Sequence, residues 1–142
     1  FCAIYIDKYM MNREIGFGRR LLQILEEEEI SFEHTPSGID NMSVILESSE
    51  LGNKEDAVVD RISKELGPDD IAVEHGLALL MVVGEGMHYA VGMAARATQA
   101  LSEAGVNIEM INQGASEISM MFAVKETDRK RAVNALGHAF FS

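Results

Sequence analysis

A displacement of 76 positions lays one half of the chain on the other. Gly16 falls on Gly92, Arg20 on Arg96 and Leu25 on Leu101, and without a gap Glu33 meets Glu109, Gly38 meets Gly114 and Ser43 meets Ser119. Apolar character follows the same offset: Ala3-Ile4-Tyr5-Ile6 lands on Leu79-Leu80-Met81-Val82, and Met42 on Ile118. Two copies are too few for a solenoid, which needs about three or more repeats to bury a continuous core. The chain therefore reads as a duplicated domain, residues 1–76 and 77–142.

Each copy carries the same order of elements. In the first, Ala3 to Ile6 is an apolar strand, followed by a loop through Asn12 to Gly16 and a helix from Phe17 to Glu29. Phe17, Leu21, Ile24 and Leu25 sit at i, i+4, i+7 and i+8, one face of a 3.6-residue period. Ile30 to Thr35 reads as a strand, and Pro36-Ser37-Gly38-Ile39-Asp40-Asn41 is dense in turn formers. Met42, Val44 and Leu46 alternate with Ser43, Ile45 and Glu47, as a half-buried strand should. A second helix is predicted from Lys54 to Leu66 with Val59, Ile62 and Leu66 inward, ended by Gly67-Pro68, and Ile71 to Glu74 closes the copy as a strand. The order is β-α-β-β-α-β, an α+β arrangement of the split ferredoxin-like kind.

The second copy repeats this: strand from Leu77, a Gly84-Glu85-Gly86 loop, helix from Gly92 to Ala104 and strand Val106 to Ile111. A Gly-Ala-Ser turn, strand Ile118 to Val124 and a helix from Asp128 to Phe140, with Val133, Leu136 and Phe140 inward, complete it. It is one strand short, so that strand comes from elsewhere in a longer chain or the edge stays open to pairing. The chain opens Phe-Cys-Ala-Ile-Tyr-Ile with no initiator Met, which is expected of a piece of something larger.

Composition narrows the function classes. With 142 residues, 47% hydrophobic and 25% charged, the chain can build a core, although each half alone would be marginal and should pack against the other or a second chain. The net charge of −11 argues against phosphate backbones and anionic lipid, so neither nucleic acid nor membrane is an expected partner. The runs Glu26 to Glu29 and Arg129 to Arg131 read as solvated helix faces. Cys2, the lone cysteine, has no internal disulfide partner, which suits a reducing cytoplasm, and it reads as a buried strand residue. The longest apolar run, Leu77 to Val83, has strand length, far below the roughly 20 residues of a membrane span. The first residues carry no charged n-region followed by an apolar segment and a cleavage site, so a secretory leader is not expected among them.

Catalytic constellations are poor. His34, His75, His88 and His138 fall in different elements without ligand spacing, and no Cys-x-x-Cys, His-Glu-x-x-His or Walker-type motif is present. Arg13, in the loop before the first helix, resembles the phosphate-binding arginine of some small phosphatases of this topology. Glu14 opposes a phosphate there, and the matching loop of the second copy, Glu85 to Ala90, has no arginine. What both copies share is glycine at a helix entry. Glycine permits close approach to the backbone, and helix-start N–H groups suit a carboxylate. Nearby acids, Glu14, Glu33 and Asp40, could receive an ammonium group, so a free amino acid fits; plain helix capping by glycine is the structural alternative.

A specific resemblance appears at Val106-Asn107-Ile108-Glu109-Met110-Ile111-Asn112-Gln113-Gly114-Ala115-Ser116-Glu117-Ile118-Ser119. This stretch resembles the hallmark Asn-Ile-x-Met-Ile-x-Gln-Gly-Ser-Ser-Glu-Ile of the aspartate kinase regulatory region. Ala115 departs from the usual serine. Val83-Gly84-Glu85-Gly86-Met87, and Gly16-Phe17-Gly18-Arg19 with Ser37-Gly38-Ile39-Asp40, agree with it, so that the likeness covers the whole chain.

The resemblance implies two ACT domains packed together, residues 1–76 and 77–142, with the first inserted into the second and the missing strand just upstream. It implies a regulatory role: lysine, in some members with threonine, binds between ACT domains of two chains and inhibits an N-terminal kinase domain. That domain, absent from these residues, phosphorylates aspartate with ATP and Mg. By position, the effector site would comprise Met11, Glu14, Gly16, Phe17 and Gly18, facing Phe32, Glu33, Ser37, Gly38 and Asp40. Amides near Gly16 to Gly18 and Ser37 to Gly38 would hold the α-carboxylate, and Glu33 and Asp40 the two ammonium groups of lysine. Asn107, Ile108, Gln113 and Gly114 match the family motif in the second module and imply interdomain contacts or a second site. No metal site and no catalytic residue are expected in these residues. Three other classes compete: a dimerisation module that binds no effector, a stand-alone acyl-phosphate hydrolase using Arg13, and an RNA-binding sheet. The last is opposed by the acidic balance and by strands without paired exposed aromatics.

Overall fold

Gly16 and Gly92 stop the chain in the left-handed region, with φ 85° and 84°, and a helix leaves each of them. A computed structural model describes residues 1–84, 91–114 and 119–141. It divides into two compact units, Phe1–His75 and Gly76–Ser142. Both are α+β, each a small antiparallel sheet with helices, in the ferredoxin-like manner expected.

In unit one, β1 (Cys2–Asp7) lies between β2 (Asn41–Leu46) and β3 (Asp70–Glu74), both antiparallel to it. Alternation decides the faces: Cys2, Ile4 and Ile6 of β1 and Met42, Val44 and Leu46 of β2 point into one core. Helix α1 (Phe17–Glu27) buries Phe17, Leu21, Ile24 and Leu25 there, the stripe read from its periodicity. A short helix, α2 (Ser48–Leu51), and a 3-10 turn (Gly52–Lys54) precede α3 (Glu55–Leu66). The inward residues of α3 are Val58, Ile62 and Leu66; Val59, expected inward, is only half-buried because the stripe runs at i, i+4, i+8. Arg61 bridges to Glu27 and Glu28 of the α1 end and to Glu65, so part of the acidic run Glu26 to Glu29 is an inter-helix ion pair and not simply a solvated face.

The strand expected over Ile30 to Thr35 is not formed as a ladder. Two isolated bridges, His34↔Ile45 and Ser37↔Met42, are all that pair there. The reason is local. Ile30 spends its N–H on Leu25 to close α1, Glu33 and His34 both donate to the Ile45 carbonyl, and Pro36 has no N–H to give. Ile45, expected on the open face, is buried opposite Ala3. Cys2 is fully buried, and burial pushes its thiol pKa up, against any nucleophilic role.

In unit two, β6 (Ser119–Lys125) is central, between β4 (Leu77–Val83) and β5 (Met110–Asn112). Thus β4 stands at the end of the strand order, whereas its counterpart β1 is central. Ala78, Leu80 and Val82 meet Met120, Phe122 and Val124 in the core, with Ala97 and Leu101 of α4 (Met93–Glu103). Residues Val106 to Glu109, expected as strand, precede the three-residue β5. Helix α5 (Arg129–Phe141) buries Ala132 and Leu136 with Phe140 packed against them; Val133, expected inward, is 50% exposed. Arg129 and Arg131 pair with Glu126 and Asp128. Of the sequence-level assignments, Glu85 to Ala90, with His88, and Ala115 to Ile118 lie outside the described residues.

The repeat survives with two adjustments. Met42 answers in the fold to Met120, not Ile118, so the second unit is two residues longer between Glu109 and Met120. Val58, Ile62 and Leu66 answer to Ala132, Leu136 and Phe140, so unit one carries four extra residues after its second core strand. Helix α2 is four residues long and accounts for that difference.

Candidate effector site

The loop between β1 and α1 is pinned from two sides, by the turn at Ile39 and Asp40 and by Asp69. Lys8 N–H donates to the Asp40 carbonyl at 2.8 Å, and Asn12 N–H to the Ile39 carbonyl at 3.0 Å. Tyr9 N–H donates to the Asp69 carboxylate at 2.7 Å, and Met10 N–H to the Asp40 carboxylate at 2.9 Å. Met10 takes φ 59°, a left-handed conformation uncommon for a residue with a Cβ, and these hydrogen bonds hold it there. A 3-10 turn (Met11–Arg13) then leads to Gly16, and α1 begins with no side chain capping it.

These constraints open a cavity of about 360 Å³ in unit one. Its wall contains Met11, Asn12, Glu14, Ile15, Gly16, Phe17, Gly18, Ser37, Gly38 and Met42. Seven of the ten residues expected at the site thus meet: Met11, Glu14, Gly16, Phe17, Gly18, Ser37 and Gly38. Phe32, Glu33 and Asp40 do not line it. Asp40 is committed to Met10, while Phe32 and Glu33 belong to the irregular segment beside β2, where Glu33 N–H donates to Ile45. Gly18 earns its place by size: a Cβ there would stand 3.6 Å from Met42 Cε, at the wall itself.

Glu14 is not an open carboxylate. It accepts from Lys8 Nζ at 2.6 Å and from the Arg20 guanidinium. Donation by Lys8, reinforced by the two positive charges, holds its carboxyl below the usual range against a smaller opposing effect of burial. An incoming ammonium would have to displace one of these cations, so Glu14 is removed from the acids available to a ligand. Sequence reasoning missed Lys8, Arg20, Asn12, Ile15 and Met42. Asn12 and Ile15 fall within the loop as read from the sequence, Arg20 was visible only as a repeat identity, and no sequence signal marks Lys8 or Met42 as neighbours of the loop.

Arg13 is exposed at the end of the 3-10 turn and outside the cavity wall. In unit two, Asn107 and Ile108 line a shallow groove with Thr98, Ser102, Gly105 and Val106, and Asn107 donates to Glu109 at 3.1 Å. Gln113 and Gly114 are exposed after β5. Among the described residues, no group of three or more His, Cys, Asp and Glu could hold a metal ion, and no helix is long and apolar enough to cross a membrane.

A duplicated ferredoxin-like unit with a glycine-lined cavity at a helix entry defines an ACT-type regulatory module, and the family model for the ACT domain matches residues 80–140. Aspartokinase 3 of Bacillus subtilis is 59% identical over 143 residues, covering 100% of this chain and 32% of the relative. The aspartate kinase of Clostridium acetobutylicum, described as an allosteric enzyme, superposes with a TM-score of 0.94 at 41% identity, over 98% of this chain and 32% of that one. E. coli aspartokinase III in complex with lysine and aspartate shares the fold, with a TM-score of 0.80 at 22% identity, over 99% of this chain and 31% of that one. Over its whole length the chain thus matches the ACT-bearing regulatory region of aspartate kinases. It spans about a third of the length of these relatives, and the kinase domain is not within it.

Proposed function

We propose that this chain senses an end-product amino acid, lysine first and threonine second, and thereby inhibits the aspartate kinase of which it is a part. The observation that carries the reading is the unit-one cavity, in which glycine backbone and an uncapped helix start face a turn of Ser37 and Gly38. Amides there suit an α-carboxylate. Lysine is named because a neighbour of the same fold is described in complex with it. Glu33 and Asp40, outside the cavity wall of a single unit, are the acids proposed for the ammonium groups where a second chain completes the site, and Asn107, Ile108, Gln113 and Gly114 are proposed for interdomain contact or a second ligand.

The whole protein would phosphorylate aspartate with ATP and Mg through an N-terminal kinase domain, act in the cytoplasm, and dimerise through ACT domains 1–76 and 77–142. A strand upstream of residue 1 would complete unit two beside β4. Regulation follows from linkage: an effector that binds one arrangement of the dimer better shifts the population toward it by that difference in affinity.

The test is the ATP-dependent phosphorylation of aspartate by the full-length protein, titrated with lysine and with threonine. At least one should inhibit, and Glu33→Ala and Asp40→Ala should each raise the half-inhibitory concentration. Unchanged kinase rates with both amino acids, at concentrations where the dimer persists, would favour a dimerisation-only module.

A further inference from the structure

Lys8 stands one residue past β1, and its ammonium has three neighbours. Nζ donates to Glu14 Oε1 at 2.6 Å and to the Leu66 carbonyl at 2.7 Å, and it lies 5.6 Å from the centroid of the Phe17 ring. Leu66 is the last residue of α3, followed by Gly67 in the left-handed conformation. The final carbonyls of a helix lack intrahelical donors and carry the negative end of its dipole, so a cation there is doubly favoured. Glu14 in turn accepts from Arg20 of α1. One ammonium therefore joins the end of α3 to a carboxylate in the cavity wall and, through it, to α1.

By sequence, unit two lacks both charged groups of this route. The repeat places Gly84 where Lys8 stands and Ala90 where Glu14 stands. Arg96, in the place of Arg20, donates to the Ala139 carbonyl near the end of α5 and lies 4.7 Å over the Phe140 ring. Both units thus put a cation on the end of their last helix, α3 in one and α5 in the other. In unit one that cation also grips the glycine loop.

We infer that Lys8 is a positioning residue of the unit-one cavity: it ties Glu14 to the end of α3 and so fixes the loop against which an effector binds. That role at a binding site rests on the effector reading above, whereas the tie itself is testable without ligand. The chemistry is specific. A methionine at position 8 keeps an apolar stem over Phe17 but donates to neither oxygen, while an arginine retains donors for both.

The experiment is hydrogen exchange on the full-length protein, wild type, Lys8→Met and Lys8→Arg, with lysine and threonine affinities measured in parallel. Lys8→Met should speed exchange of the amides from Met11 to Gly18 about tenfold, with those of Val58 to Ile62 changed less than about twofold. It should weaken binding of whichever amino acid binds by a similar factor, and Lys8→Arg should restore most of both. Unchanged loop exchange, or equal acceleration in loop and helix, overturns the tie. Faster loop exchange with unchanged affinity overturns its role in binding. Should the wild type bind neither amino acid, the effector reading fails and the role at a binding site falls with it, while the exchange data still decide whether Lys8 holds the loop.

Discussion

Glu29 and Gly105 occupy the same position in the two units, each in the left-handed conformation just past a helix, with φ 57° and 71°. Around them the hydrogen bonds are the same. Ile30 N–H donates to Leu25 and Glu29 N–H to Glu26, as Val106 does to Leu101 and Gly105 to Ser102. This is a Schellman closure, with a buried apolar residue, Ile30 or Val106, locking each end. The duplication has kept the backbone and changed the residue, from one that suits the conformation to one that resists it.

Glu29→Gly should therefore stabilise the protein, by about 1 kcal/mol, since a Cβ in the left-handed region costs roughly 1–2 kcal/mol and glycine returns part of that as unfolded-state entropy. Gly105→Ala should destabilise by a similar amount. Urea unfolding of both variants checks the pair of signs.

The inward stripes of the second helices separate neighbours in sequence. Ile62→Ala and Leu136→Ala should each cost about 2–5 kcal/mol, as core truncations do. Val133→Ala, at a half-exposed position, should cost under about 1 kcal/mol. Thermal or denaturant unfolding distinguishes them.

Gly18→Ala separates stability from binding. The added methyl makes ordinary contact with Met42 and improves helix propensity at an early helical position, so unfolding free energy should hold or rise by up to about 1 kcal/mol. The same methyl narrows the cavity, and amino-acid affinity should fall several-fold. Paired denaturation and binding curves read the two effects apart.

Glu14 sets a pH dependence. Its carboxyl is depressed in the fold, principally by the Lys8 hydrogen bond, relative to the unfolded chain. The sign follows: its stabilising contribution is fully present above the ordinary carboxylate pKa and disappears as pH falls through the depressed folded value. The stability difference between wild type and Glu14→Gln should thus be constant near neutrality and shrink in acid. A series of denaturation curves against pH measures it.

Much of the architecture was legible because it was written twice. The alternation in Ile4 and Ile6, in Met42, Val44 and Leu46, and in Ala78, Leu80 and Val82 needs only a period of two to be read, and the α1 stripe only a period of 3.6. The phase of α3 was misread because Val58 and Val59 are adjacent and alike, and that of α5 because Ala132 gives a weaker apolar signal than Val133. The segment from Ile30 to Pro36 has strand-forming residues, yet its N–H groups are spent on a helix end and a shared carbonyl, which composition does not record. For the site, the glycines singled out in the sequence, Gly16, Gly18 and Gly38, come together in one cavity wall. Lys8 escaped notice because its meaning depends on where α3 ends, 58 residues along the chain. Glu33 and Asp40 were placed there by position in the resemblance and by charge, and the fold uses the Asp40 carboxylate to hold Met10.

The most direct measurement is titration calorimetry of the full-length dimer, first with lysine and then with threonine. Saturable heat from at least one of them, weakened by Gly18→Ala, is the predicted result. No heat from either amino acid, with the protein folded and dimeric, would contradict the account.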